Sequence, residues 1–159
     1  MNICGYYPES INEGEGLRAV IFLSGCRHRC PGCFNPETWN FNYGEPFTEQ
    51  RQQEIINEMV NNPLLEGMTL AGGDPFFSAE EAATFIDKVR ITLPNFSVWI
   101  YTGYVYEDLI ATQDSAEYRL LQKCQVLIDG PFIESLKNTS LPYRGSSNQR
   151  IIELQANLG

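Results

Sequence analysis

Apolar runs and helical patterns alternate along this chain. Arg18–Gly25 (RAVIFLSG) is a short continuous apolar run framed by Gly16 and Gly25, the pattern of a strand buried on both faces. Met68–Gly72, Val98–Thr102 and Val126–Asp129 repeat it, each stopping at glycine or a polar turn residue, and Ile151–Leu154 reads as a weaker fifth strand. Between these runs, Thr48–Asn61 sets Ile55, Ile56, Met59 and Val60 on one helical face, and Ser78–Thr92 does the same with Ala82, Phe85, Ile86 and Val89. Ser78 and Glu81 have the spacing of a capping box. A third helical region covers Tyr106–Cys124 and is interrupted near Asp114. Strands separated by helices predict an α/β fold with a largely parallel sheet and right-handed crossovers, whose ligands gather at the carboxyl ends of the strands.

Composition narrows this picture. The 159 residues, 43% of them hydrophobic, suffice for one core, and no repeat or linker divides them. A complete eightfold β/α barrel needs about 250 residues and is excluded. The longest apolar stretches, such as Val20–Leu23, fall far short of the roughly 20 residues that span a bilayer. Met1–Pro8 has neither a basic flank nor an apolar core, so no secretory signal and a cytoplasmic location are expected. Twenty acidic against eleven basic residues give a net charge of -9, which argues against a nucleic-acid partner.

The candidate chemistry lies at the strand ends. Cys26, Cys30 and Cys33 form a C-x3-C-x2-C cluster directly after the first apolar run. Closely spaced thiols in a reducing compartment bind metal more often than they pair, and soft thiolates select iron-sulfur or zinc. An all-cysteine site normally wants four ligands, and Cys4 and Cys124 lie far off in sequence, Cys124 in an apolar helical context. Three local ligands leave one iron of a four-iron cluster open. His28, the single histidine, is tethered too tightly between Cys26 and Cys30 to join them easily on one metal, and reads as a loop residue. Arg27 and Arg29 are either solvated or a source of positive potential beside an anionic cluster.

Further along, Gly72, Gly73 and Asp74 precede Pro75, either as a plain turn or as a site where backbone and carboxylate meet an ammonium group. Thr102 ends the next strand, and Asp129 with Gly130 ends the one after, adding a carboxylate at the same face. Tyr143–Arg150 is a polar loop with two arginines, which reads as flexible surface or as a site for a carboxylate or a partner.

The cysteine spacing after the first strand resembles the signature of the radical S-adenosylmethionine superfamily, and Gly72-Gly73-Asp74-Pro75 resembles that superfamily's glycine-glycine-acid-proline motif. Gly14-Glu15-Gly16-Leu17-Arg18, Thr38-Trp39, Trp99-Ile100-Tyr101-Thr102-Gly103-Tyr104, Asp129-Gly130 and Arg144-Gly145-Ser146-Ser147 stand in order around these motifs. Over essentially the whole chain the pattern is similar to the activases of anaerobic class III ribonucleoside-triphosphate reductases. Two departures are Glu13 and Glu15, where Asp or Asn and then Pro are usual, and Gly32 in place of an aromatic before the third cysteine.

The resemblance implies a single-domain incomplete TIM-type β/α barrel, and a 4Fe-4S cluster held by Cys26, Cys30 and Cys33. It implies S-adenosylmethionine chelated to the open iron, its methionine amino group held at Gly72, Gly73 and Asp74, with Thr102 and Asp129 bordering it. The partner implied is the reductase large subunit, which receives a glycyl radical near its C-terminus, and the electron comes from a reductant such as flavodoxin. Other readings stand beside this: an activase of a formate-lyase-type enzyme, a small-molecule radical enzyme that makes a modified nucleobase precursor, and a zinc-stabilised adaptor without catalysis.

Overall fold

The computed structural model describes residues 1–154. Seven strands form one sheet: β1 (Asn2–Ser10), β2 (Arg18–Leu23), β3 (Glu45–Pro46), β4 (Gly67–Gly72), β5 (Ser97–Tyr101), β6 (Val126–Asp129) and β7 (Arg150–Glu153). Their order is β3-β1-β2-β4-β5-β6-β7. The four central strands run parallel, and the flanking pairs β1 with β2, β1 with β3 and β6 with β7 are antiparallel. The sheet is therefore open, mixed at its edges and parallel through its middle. The fifth apolar run does become a strand, but it returns antiparallel along β6.

Alternation along the central strands divides the side chains between two faces. Ala19, Ile21, Leu23, Met68, Leu70, Val98, Ile100 and Leu127 meet the helices α1 (Glu49–Val60), α2 (Ala79–Thr92), α3 (Tyr106–Ile110) and α4 (Ala116–Leu121) in one core. On the other face Trp99, Val126 and Ile128 gather with Tyr101 and Tyr143. Thr48 caps α1 by accepting the Arg51 amide, worth about 1 kcal/mol. Burial of Ile55, Ile56 and Met59 at roughly 1.5–3 kcal/mol each outweighs it, so packing rather than the cap holds this helix.

One local expectation is corrected. The capping box at Ser78 does not form, because a short 3-10 turn over Pro75–Ser78 runs straight into α2 and is capped by Asp74 instead. Glu81 then turns outward to the N-terminal ammonium of Met1. The stretch Tyr106–Cys124 splits around Asp114 into α3 and α4 as expected, with Ser115 starting the second helix by accepting the Tyr118 amide. Strand β1 had no clean sequence signal: Pro8 has no N–H for a ladder, and it is tolerated at the pairing irregularity between Tyr7 and Ser10.

A buried cation opens the second strand. Arg18, 2% exposed, starts β2 and donates to the Met68 and Ser97 carbonyls at 2.8 Å, to the Glu15 carbonyl at 3.1 Å and to Thr69 Oγ1 at 3.0 Å. Its guanidinium lies 5.4 Å from the Trp99 ring centroid. Burial lowers its pKa to about 10, which still leaves it charged at neutral pH. It closes the amino ends of the central strands, opposite the cysteines. Arg18→Met keeps length but strands these carbonyls, and is expected to cost about 3 kcal/mol in chemical denaturation, whereas a loss under about 1 kcal/mol would show the arginine to be a passive filler.

Candidate metal centre

The cysteine loop leaves β2 at Leu23. Its path is fixed by backbone bonds, Gly25 N–H donating to the Thr38 carbonyl at 2.7 Å and Cys26 N–H to the Trp39 carbonyl at 3.2 Å, which fold it against the 3-10 turn Pro36–Trp39. The segment Cys30-Pro31-Gly32-Cys33 is a tight turn closed by Cys33 N–H donating to the Cys30 carbonyl at 3.1 Å. Proline at its second position and Gly32 at φ 75° at its third are what a type II turn demands. Gly32 thus stands in place of an aromatic for a backbone reason, and the turn holds Cys30 and Cys33 close together.

The same loop presses on the end of β4. Gly73 N–H donates to the Leu23 carbonyl at 2.7 Å and Asp74 N–H to the Gly25 carbonyl at 2.9 Å. A Cβ on Gly72 would lie 2.5 Å from the Leu23 oxygen, and one on Gly73 would lie 2.6 Å from the Gly25 oxygen and 2.8 Å from the Thr38 oxygen. Both glycines are required here by neighbouring backbone, whatever ligand they also meet.

Cys26, Cys30, Cys33, Gly72, Gly73 and Thr102 all border one open cavity of about 290 Å³. Phe22, Ala71 and Tyr101 come to it from the sheet, and Gly130, Phe132, Gly145 and Gln149 from the far side. The Phe34 and Phe132 rings pack against each other, centroids 5.1 Å apart. Burial pushes the Cys26 thiol up to about 11, partly offset by the backbone N–H groups of His28 and Arg29, so metal binding must first remove its proton. Burial likewise raises the Tyr101 phenol, keeping it neutral. Among the described residues no three His, Cys, Asp or Glu side chains converge closely enough to hold a single metal ion. The three soft thiols instead edge a space, a donor set that fits a cluster whose irons each take one thiolate.

The two carboxylates predicted for the site face elsewhere. Asp74 is 1% exposed and does not border the cavity. Its Oδ2 accepts from Thr102 Oγ1 at 2.8 Å and Gly103 N–H at 2.9 Å and contacts His28 Nε2 at 2.7 Å, while Oδ1 accepts from Phe76 N–H at 3.0 Å. Asp129, also buried, accepts from Arg150 and from the Tyr106 N–H at 2.8 Å, fastening β7 and the start of α3 to β6. Arg150 is shared with Glu107, and these bonds raise the arginine's pKa and lower that of Glu107.

Three residues take places at the site that the sequence did not assign to them. His28 is bonded to Asp74 rather than free in the loop. Gln149 takes the Gly145 and Ser146 N–H groups on its Oε1 and donates to the Gly130 carbonyl at 3.0 Å, which shapes the far wall out of the polar loop. Glu13 borders the cavity, and only its departure from the usual residue marked it.

Comparison with known proteins defines the class first. Residues 12–152 match the family model described as a 4Fe-4S single cluster domain. The chain is 37% identical over 158 residues to the anaerobic ribonucleoside-triphosphate reductase-activating protein of Escherichia coli, covering 98% of this chain and 100% of that one. Proteins of the same name from Haemophilus influenzae (38% over 154 residues, 95% and 97% covered) and Vibrio cholerae (35% over 154 residues, 95% and 97% covered) are similarly related. The chain belongs to the family of anaerobic ribonucleoside-triphosphate reductase-activating proteins.

Gly73→Ala tests whether backbone contact defines the site. The added methyl must push the Gly25 and Thr38 carbonyls away, with an expected loss of about 1–3 kcal/mol in stability and faster loss of iron from reconstituted protein. Unchanged stability and iron retention would mean that the loop is not pressed on β4 as described.

Proposed function

We propose that this protein is a radical S-adenosylmethionine activase that generates the glycyl radical of an anaerobic ribonucleoside-triphosphate reductase. The observation that carries the reading is the meeting of three cysteines with the Gly72–Gly73 end of β4 at one open cavity. In this reading Cys26, Cys30 and Cys33 hold a 4Fe-4S cluster with one iron open. The backbone of Gly72 and Gly73, together with Thr102, borders the methionine part of S-adenosylmethionine. Asp74 and Asp129 act from behind, because their oxygens are already engaged by protein donors.

When bound, the cluster supplies the electron that splits S-adenosylmethionine into methionine and a 5′-deoxyadenosyl radical, which removes a hydrogen from a glycine of the reductase. The electron comes from a one-electron carrier such as flavodoxin. The chain's own part is to bind, orient and shield. Tyr101, Phe22 and Ala71 give the cavity a dry floor, and its open mouth admits a segment of a large partner, whereas a small substrate would call for a more enclosed pocket. We also read the sheet as the arc of an incomplete β/α barrel. In support, β2, β4, β5 and β6 follow in order, the helices pack on one face, and Arg18, Thr69 and Trp99 line the other. All five cysteines are free of disulfides, which suits a reducing, cytoplasmic setting.

Anaerobic reconstitution with iron and sulfide, reduction by dithionite and chromatography of methionine and 5′-deoxyadenosine test the chemistry without the partner. Cys26→Ala, Cys30→Ala and Cys33→Ala should each lower cleavage by more than about a hundredfold, beyond what loss of a supporting group does. Cys124→Ala, buried away from the cavity, should keep most of it. Cleavage retained by Cys30→Ala protein would contradict the three-ligand assignment. Purified protein holding zinc and no sulfide would favour the adaptor instead.

A further inference from the structure

We propose that His28 and Asp74 are a positioning pair that locks the cysteine loop onto the end of β4, so fixing the distance between a cofactor held by the cysteines and a ligand held at Gly72 and Gly73. This rests on the cluster reading above for its consequence, though not for its geometry. His28 lies two residues from both Cys26 and Cys30, and its Nε2 is 2.7 Å from Asp74 Oδ2. With the carboxylate oxygen as acceptor, His28 Nε2 is the donor of this bond. The imidazole is wedged between Phe77 and Tyr104, with ring centroids 5.0 and 4.7 Å away. Gly103 leaves room for it, since a Cβ there would stand 2.5 Å from His28 Cδ2.

The division of labour at Asp74 separates this role from simple folding. Thr102, Gly103 and Phe76 already donate to the carboxylate and tie together the ends of β4 and β5 and the turn before α2. His28 alone brings a side chain of the cysteine loop into that network. Removing its donor leaves Asp74 with three partners and the sheet intact, but frees the loop between two thiols. Hydrogen bonds to a charged acceptor are roughly twice as strong as neutral ones, so the effect on the loop should be large.

The test compares His28→Phe, which keeps an aromatic ring against Phe77 and Tyr104, with His28→Gln, which restores an N–H donor. In metal-free protein, His28→Phe is expected to speed amide hydrogen exchange over residues 26–34 about tenfold, the size of one lost hydrogen bond to a charged group, with exchange in α1 and α2 unchanged. In reconstituted protein it should raise KM for S-adenosylmethionine by a similar factor while kcat falls less, and His28→Gln should recover most of both. Exchange over 26–34 unchanged in His28→Phe, or raised equally throughout the protein, would overturn the proposal. So would a His28→Gln protein as impaired as His28→Phe. If the parent protein cleaves no S-adenosylmethionine, the cluster reading fails and the exchange comparison still decides the positioning role.

Discussion

The site depends on how closely the loop after β2 lies against the end of β4. Two backbone amides just past β4, those of Gly73 and Asp74, reach the carbonyls of Leu23 at the end of β2 and Gly25 in that loop, and no side chain larger than hydrogen fits at Gly72 or Gly73. Everything the cavity offers follows from this approach: the thiols arrive at the same end of the sheet as the glycines, and Asp74 is carried inward to bind three strand-end segments at once. Gly-Gly-Asp-Pro is therefore first a packing motif. Any role in holding an ammonium group falls to backbone, because the carboxylate is already spent on His28, Thr102, Gly103 and Phe76.

The opposite end of the sheet has the reverse logic. There a buried guanidinium does what glycines do at the site, joining β2 to β4 and β5 through their carbonyls. Arg18 is held directly by carbonyl dipoles, a hydroxyl and the face of Trp99, while Glu66 and Glu15 favour its charge from longer range. A chain of net charge -9 thus keeps one of its few cations inside.

The central strands and main helices were legible because their apolar runs are long and their periods differ. Val126–Asp129 emerges with the bounds its pattern predicts, and α1 lies between Thr48 and Asn61 as expected. The cysteine cluster proposed to hold the metal was visible for the same local reason, spacing within one loop. What stayed hidden is long-range. Strand β1 carries Gly5 and Pro8 and exists because β2 pairs with it, and β3 is two residues long. Asp129 looked like a site carboxylate because it ends a strand, and only the fold shows Arg150 returning along β7 to engage it. His28 looked like a bystander because its partner is 46 residues away.

The central claim is that this cavity makes a radical for another protein's glycine. The most direct measurement is an anaerobic electron paramagnetic resonance spectrum of reconstituted, reduced protein mixed with S-adenosylmethionine and the class III reductase of the same organism. The account predicts a glycyl-radical doublet on the reductase that disappears when any one component is left out. A reduced-cluster signal with S-adenosylmethionine cleavage but no doublet on that reductase would contradict it.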